Sequence, residues 1–389
     1  LLKNLKIKGS EDNSVFLDYQ LFMIENQTKS SQLSQQLKRH LLPDSVKKTL
    51  KKKQLDMHED SVKILRAQLK ELDSLVKEKW NSIKRYHPQS LLASILNVLT
   101  DITVPDPPKD ANGKILDSTF QYRYYKEHFF DNTDFSDYRL LRTPVLEAKI
   151  DEYLEKTILQ IPDSIIVGVD KVVGLAKAHP KVYRYAIQYV FNKYNNPKIM
   201  CMDRVFVHVS DKYYLSGEAD WALKDTAFMK KLKERVDKER PNRCGEIAPD
   251  LRLVSLTNQL VSISSIKADY IVIYFFEPSC GHCQKIIPQW NKIYNENKFA
   301  EKNVKSVLIY TQVDTKEWKD FIDKHQLQGH INLYDPFQNT RFRDLYDIYS
   351  TPVPYVIDGS TGKIVAKRIG PDIIADFINN MLELKKKKK

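Results

Sequence analysis

The apolar positions of this chain change their period near residue 240. Before it they recur every three or four residues. Ser10, Asp12, Asn13 and Ser14 supply caps, and Phe16, Tyr19, Met23 and Ile24 follow at helical spacing, which predicts a helix to about Leu41. Pro43-Asp44 breaks it. Val62, Leu65, Leu69, Leu72, Val76, Trp80 and Ile83 then mark a long amphipathic helix, and the two helices are expected to pair as an antiparallel hairpin. Their stripe reads as core, because three heptads are marginal for a free coiled coil. "SLLASILNVLT" adds a short helix after Pro88, and "DITVPDPPKDANG" (101–113) is a loop by its Pro, Asp and Gly content. From Phe120 to about Arg240 the pattern stays mostly helical. Thr143 is the expected cap and Pro144 the first helical position of "TPVLEAKIDEYLEK", and further helices begin near Asp163, Val182 and Trp221. Two stretches read otherwise: "LLKNLKIKG" alternates as a strand would, and "RVFVHVSDKYY" reads as an extended or irregular insert.

Beyond "ERPNRCGEIAPD" strands and helices alternate. "LRLVSL" and "LVSISSI" form a hairpin, "DYIVIYFF" is a buried strand, and a helix is expected from Cys280. There follow "SVLIYTQVD", a helix at "TKEWKDFIDKHQ", "INLYD", a helix at "RFRDLYDIY", "PYVIDG", "KIVAKRI" and a last helix from Pro371. Such alternation argues an α/β or mixed sheet with helices on both faces. The fold class is therefore multidomain, mostly α-helical first and α/β last. The boundaries are 1–100 for the hairpin region, 101–240 for a second helical domain and 241–389 for the α/β domain with its basic tail.

At 389 residues, with 42% hydrophobic and 11% aromatic positions, the chain can bury a core in each part. Its net charge of +12 suggests nucleic acid, but five of those charges are the terminal "KKKKK" and no basic stripe interleaved with exposed aromatics appears. Nucleic-acid binding is set aside and the tail read as a solvated end. No apolar run reaches the ~18 residues of a transmembrane segment. The chain starts with Leu1 and no signal-like stretch follows, which suits a mature or trimmed form.

Four cysteines are too few for a disulfide scaffold. Cys201 and Cys244 stand isolated and read as small buried or semi-buried thiols. Cys280 and Cys283, in "FFEPSCGHCQKIIP", invite chemistry. A thiol attacks only as thiolate, so it needs local positive potential. Cys280, at a helix start with His282 and Lys285 close behind, has it. His282 between the cysteines further favours the thiolate, which makes the pair a better oxidant. Cys280 would attack, and Cys283, one turn on and more buried, would resolve the mixed disulfide at high effective concentration. Zinc would need more ligands than one CxxC supplies, so no metal is expected. Attached haem would need His where Gln284 stands. A structural disulfide or idle thiol pair remains the serious competitor. Elsewhere, His208 between valines suits a satisfied histidine, and His128 with Asp131 a structural pair.

Residues 243 to 384 resemble the thioredoxin superfamily. "SCGHC" resembles its active-site turn, Pro288 its helix proline, and "STPVPYVID" the strand entry that carries a cis-proline, here Pro352 after Thr351. The resemblance implies a thioredoxin fold in which Thr351 and Pro352 offer an edge to an extended substrate. "GEIAPDLRLVSL" is similar to the entry segment of TlpA and ResA type thiol-disulfide oxidoreductases and of peroxiredoxins. Peroxiredoxins, however, set Thr where Glu277 stands. Departures from the pattern are Ser279 for Trp, Tyr274 for a buried carboxylate and Ile286 for a Glu, which leaves Glu277 to take the proton of Cys283.

Upstream, "FQYRYYKEHFFDNTDFSDYRLLRTPV" and "CMDRVFVHVSDKYY" resemble the helical domain of unknown function found ahead of thioredoxin modules in secreted or lipid-anchored proteins of Bacteroidetes-type bacteria. This implies an extracytoplasmic place, periplasmic or lipid-anchored. The implied activity is thiol-disulfide exchange on protein thiols and disulfides, as a reductant by family habit. It needs no cofactor beyond the Cys280/Cys283 disulfide, and a membrane-linked or periplasmic thiol partner would recycle it. The alternative is a non-catalytic envelope binding or assembly module on the same scaffold.

Overall fold

In the computed structural model the described residues are 2–43, 45, 51–197 and 199–387. Two compact units divide the chain. One is Leu1–Ile158 with Gly174–Tyr183, the other Leu159–Val173 with Arg184–Lys389.

In the first unit Ser10 Oγ accepts the Asn13 N–H and opens α1 (Glu11–His40). The helix α2 (Lys52–Tyr86) runs back along it: His58 meets His40, Lys79 Nζ lies 2.5 Å from Asp18 and His87 lies 3.0 Å from Glu11. Partners that rise along one helix fall along the other, as an antiparallel hairpin requires. Asp44, half of the expected break, lies outside the described residues. Ser90 caps α3 (Leu91–Val98), whose Leu92, Ala93 and Leu96 pack on Ile83, Val15, Tyr19 and Trp80. Then come α4 (Phe120–His128) and α5 (Val145–Asp151), which continues as a π-turn over Glu152–Thr157. Phe129, Phe130, Phe135 and Tyr153 form an aromatic cluster here. His128 pairs with Asp131 at 2.6 Å.

There follow α6 (Pro162–Ala176), α7 (Pro180–Asn195), α8 (Asp203–Val209) and α9 (Thr226–Glu239). His208 Nε2 is satisfied by Asp170 at 2.9 Å, and Asp170 also takes Lys212 and Tyr213.

The seven-stranded sheet has the order β2-β1-β5-β4-β3-β6-β7. Its strands are β1 (Arg252–Ser255), β2 (Leu260–Ser262), β3 (Tyr270–Phe276), β4 (Val304–Tyr310), β5 (Ile331–Tyr334), β6 (Val353–Asp358) and β7 (Lys363–Lys367). β3, β4 and β5 are parallel, and the other pairings antiparallel. The helices are α10 (Cys283–Glu296), α11 (Thr315–Lys324), α12 (Phe342–Leu345) and α13 (Pro371–Lys387). β3 is apolar throughout because both faces are covered. Tyr270, Val272, Tyr274 and Phe276 meet Trp290, Trp318 and Ile374 on one side. Ile271, Ile273 and Phe275 meet Phe342, Tyr346 and Tyr355 on the other.

Several readings are corrected. "LLKNLKIKG" holds a single 3-10 turn, Leu2–Asn4, and joins no ladder among the described residues. "RVFVHVSDKYY" is helical, α8 followed by a π-turn over Ser210–Leu215. Arg204, His208, Asp211 and Lys212, at steps of three and four, form its less buried polar stripe, but the alternation of the buried Val205, Val207 and Val209 masks that period. The Thr143 hydroxyl donates to Leu140 O instead of capping α5, and Pro144 sits one place before that helix. The lysine tail is partly engaged: α13 runs to Lys387, and Lys385 reaches Asp358 and the Tyr270 ring. Cys201 and Cys244 are not separate thiols but a disulfide with Cα atoms 5.3 Å apart. Forty-three residues separate them in sequence, and only folding brings them together.

Candidate active site

β3 ends at Phe276, and the next residues turn back so that the Cys280 N–H reaches Glu277 O at 3.1 Å. The helix that was expected from Cys280 starts three residues later, at Cys283 with His282 at its N-cap. Cys280 therefore stands just ahead of the helix, where free N–H groups point. Gln284 Nε2 donates to Pro278 O and holds the turn, and Pro288 lies inside α10.

The second wall comes from β6. Val353 pairs with Phe275 across an antiparallel ladder, so two residues back Thr351 falls level with Glu277, where the chain turns toward Cys280. Thr351–Pro352 is a cis peptide bond, and the Cys280 thiol donates to Thr351 O at 3.2 Å. The Thr351 N–H has no partner among the described residues.

Both cysteines are free thiols, in unlike surroundings. Partial burial pushes Cys280 up, but the Cys283 N–H, the Thr351 hydroxyl, the Cys283 thiol and the His282 N–H together outweigh it and hold Cys280 below the ordinary thiol value. Burial pushes Cys283 up to about 12, although the Glu277 N–H faces its Sγ at 3.5 Å. One sulfur is accessible and disposed to ionise, the other enclosed and held protonated.

The remaining expected residues divide. The side chains of His282 and Lys285 are exposed, and His282 acts on Cys280 through its backbone. Glu277 touches Cys283 through its N–H, while its half-buried carboxylate accepts from Thr311 Oγ1 at 2.9 Å. Thr311, fully buried at the carboxyl end of β4, was not singled out. Its carbonyl accepts from Arg343 at 3.0 Å. A signal was available, since residues just past the carboxyl ends of parallel strands line sites in such sheets. Tyr274 is buried against Trp290, its hydroxyl without a partner among the described residues. No group of three His, Cys, Asp or Glu side chains converges as a metal would need among the described residues. No helix there is long and apolar enough to cross a membrane.

Two family models match the chain. Residues 113–247 match a domain of unknown function (DUF5106), and residues 244–367 the AhpC/TSA family. A curated relative, protein disulfide isomerase-like 2-3 of Oryza sativa subsp. japonica, is 34% identical over 61 residues, which are 16% of this chain and 12% of that protein. The chain thus spans about an eighth of that relative. Among solved structures, a domain of a possible thiol-disulfide isomerase from Cytophaga hutchinsonii is 32% identical, over 38% of this chain and 97% of that one, with a TM-score of 0.34. A thioredoxin-like protein from Bacteroides caccae is 17% identical, over 72% of this chain and 98% of that one, with a TM-score of 0.49.

Proposed function

Because this chain is a TlpA-like member of the thioredoxin superfamily with a DUF5106 domain ahead of its AhpC/TSA-type module, we propose that Cys280 and Cys283 form a redox pair that reduces disulfides of other proteins. The asymmetry of the two thiols carries the reading: Cys280 is accessible and lowered, Cys283 enclosed and raised to about 12. The Cys280 thiolate attacks one sulfur of a substrate disulfide, an S–S bond forms to Cys280, and the other substrate sulfur leaves as thiolate. Cys283 then loses its proton and attacks the Cys280 sulfur, which releases the second substrate thiolate. The substrate gains two electrons, and the pair is left as a disulfide. A protein dithiol, membrane-linked or periplasmic, must reduce it again, and no other cofactor enters.

In this reading Glu277 turns from Thr311 to take the Cys283 proton, and His282 and Lys285 add positive potential near Cys280. Thr351 and Pro352 present the edge along which the substrate chain lies. The reducing direction follows the habit of TlpA-like proteins. An extracytoplasmic place is supported by the Cys201–Cys244 disulfide, since such bonds persist in oxidising compartments.

The test is a titration of the pair in defined thiol buffers, read by alkylation and mass. Joint, reversible oxidation of both thiols at the potential of a thiol carrier supports the reading, and a low potential supports reduction. A pair that stays reduced or locks irreversibly overturns it. A Cys283→Ser form should trap partners as mixed disulfides at Cys280.

A further inference from the structure

α9 belongs to the stretch matched by the domain of unknown function, yet it lies against the loop that leads to Thr351. A cleft of about 340 Å³ separates the helix from Asp347 and Tyr349. Tyr349 is 67% exposed, and Lys238 Nζ stands 4.6 Å from the centre of its ring.

Charges around the cleft are unevenly matched. Glu239 is taken by Arg235 at 2.7 Å and Asp347 by Arg368 at 2.5 Å. Lys231 and Lys238, two turns apart on one face of α9, have no ion-pair partner within 4 Å among the described residues; Lys238 is hydrogen-bonded to Tyr349 and feels Asp344, itself paired with Arg341, and Asp347, which leaves Glu234 as the one unpaired acid of the cleft. The cleft therefore presents a small positive excess beside an aromatic platform. Tyr349 is two residues from Thr351, whose carbonyl touches Cys280 Sγ, and two residues of chain span at most about 7 Å.

We propose that α9 and Tyr349 form a subsite for the substrate segment next to its reacting cysteine, and that Lys231 and Lys238 favour an acidic side chain two or three residues from that cysteine. The domain of unknown function would thus select substrates for the thiol pair. The proposal rests on the exchange reading of Cys280.

The probes are short peptides with one cysteine activated by a neutral 2-thiopyridyl group, and with Glu, Gln or Lys three residues before or after it. Dipyridyl disulfide serves as a small control. The wild-type dithiol protein should release thiopyridone from one of the Glu peptides roughly two- to fivefold faster than from its Lys counterpart, the size of an exposed ion pair. High salt should flatten the difference, and the Lys231→Glu/Lys238→Glu protein should invert it. Equal rates for all peptides, or a preference that the double variant keeps, overturns the subsite. Failure of the wild-type protein with dipyridyl disulfide as well as every peptide would instead sink the exchange reading.

Discussion

Replacing Cys201 and Cys244 together by serine cuts the covalent tie between the start of α8 and the entry to the sheet. The tie spans 43 residues, and closing a loop of that length restricts the unfolded chain by about 4 kcal/mol on the chain-entropy scale. The junction has other bonds that survive the change. Lys367 lies 2.5 Å from Asp203 with both side chains nearly buried, and it also donates to Asn242 Oδ1 at 2.9 Å. Asn242 in turn donates to Lys238 O and Leu345 O. The variant should therefore fold, but with less reserve. With a urea slope of roughly 2 kcal/mol per molar, the midpoint should fall by about 2 M. The measurement is urea unfolding without reductant, followed by the fluorescence of Trp290 and Trp318, both buried around the sheet. A shift below about 0.5 M would refute the entropic reasoning on that slope. Alkylation of the unfolded, unreduced wild-type dithiol protein should mark two cysteines, and four marks would refute the pairing itself.

In the native dithiol protein, Cys280 should alkylate with a midpoint below the ordinary thiol value, while Cys283 stays silent until far more alkaline pH. Equal reactivity of the two would contradict their surroundings. His330 is buried beside Asn291, and burial lowers its pKa to about 4 from 6.5. The unfolded chain then binds a proton that the folded one refuses, so stability is full above about pH 6.5 and drops by roughly 3 kcal/mol as the pH falls to about 4. His330→Gln should flatten that part of the pH profile of Tm, and an unchanged slope would assign it elsewhere. Gly359→Ala would set a Cβ 2.0 Å from Ala268 O, a backbone atom that cannot step aside. A cost of roughly 3 kcal/mol should lower Tm by about 6 °C or more, and a Tm within about 2 °C of wild type would contradict the close approach.

Most of the sheet was legible in sequence. Alternation and apolar runs bounded by turn residues mark β1 to β7 because a strand's pattern reports whether one face or both are covered. The hairpin of α1 and α2 was legible for the same reason, each helix having a wet side. α8 was not: its valines alternate at 205, 207 and 209 as a strand's would, and this short-range alternation outweighed the stripe of Arg204 and His208 four residues apart. The start of α10 shifted from Cys280 to Cys283 because the Cys280 N–H is spent on Glu277 O, a local bond that composition does not announce.

The sequence by itself determined that two cysteines sit two residues apart where a buried strand gives way to a helix, with a Thr-Pro step before a later strand. These are local facts, written in neighbours and in periodicity. That Cys283 is the more buried sulfur was expected from its place on the helix, but folding decided what surrounds the partly buried Cys280, because Thr351 reaches it only through the packing of β6 beside the turn. It also decided that the Glu277 carboxylate faces Thr311 and that Cys201 finds Cys244. Contacts across 34 and 43 residues depend on the path of the whole chain between them, and no spacing rule encodes that path.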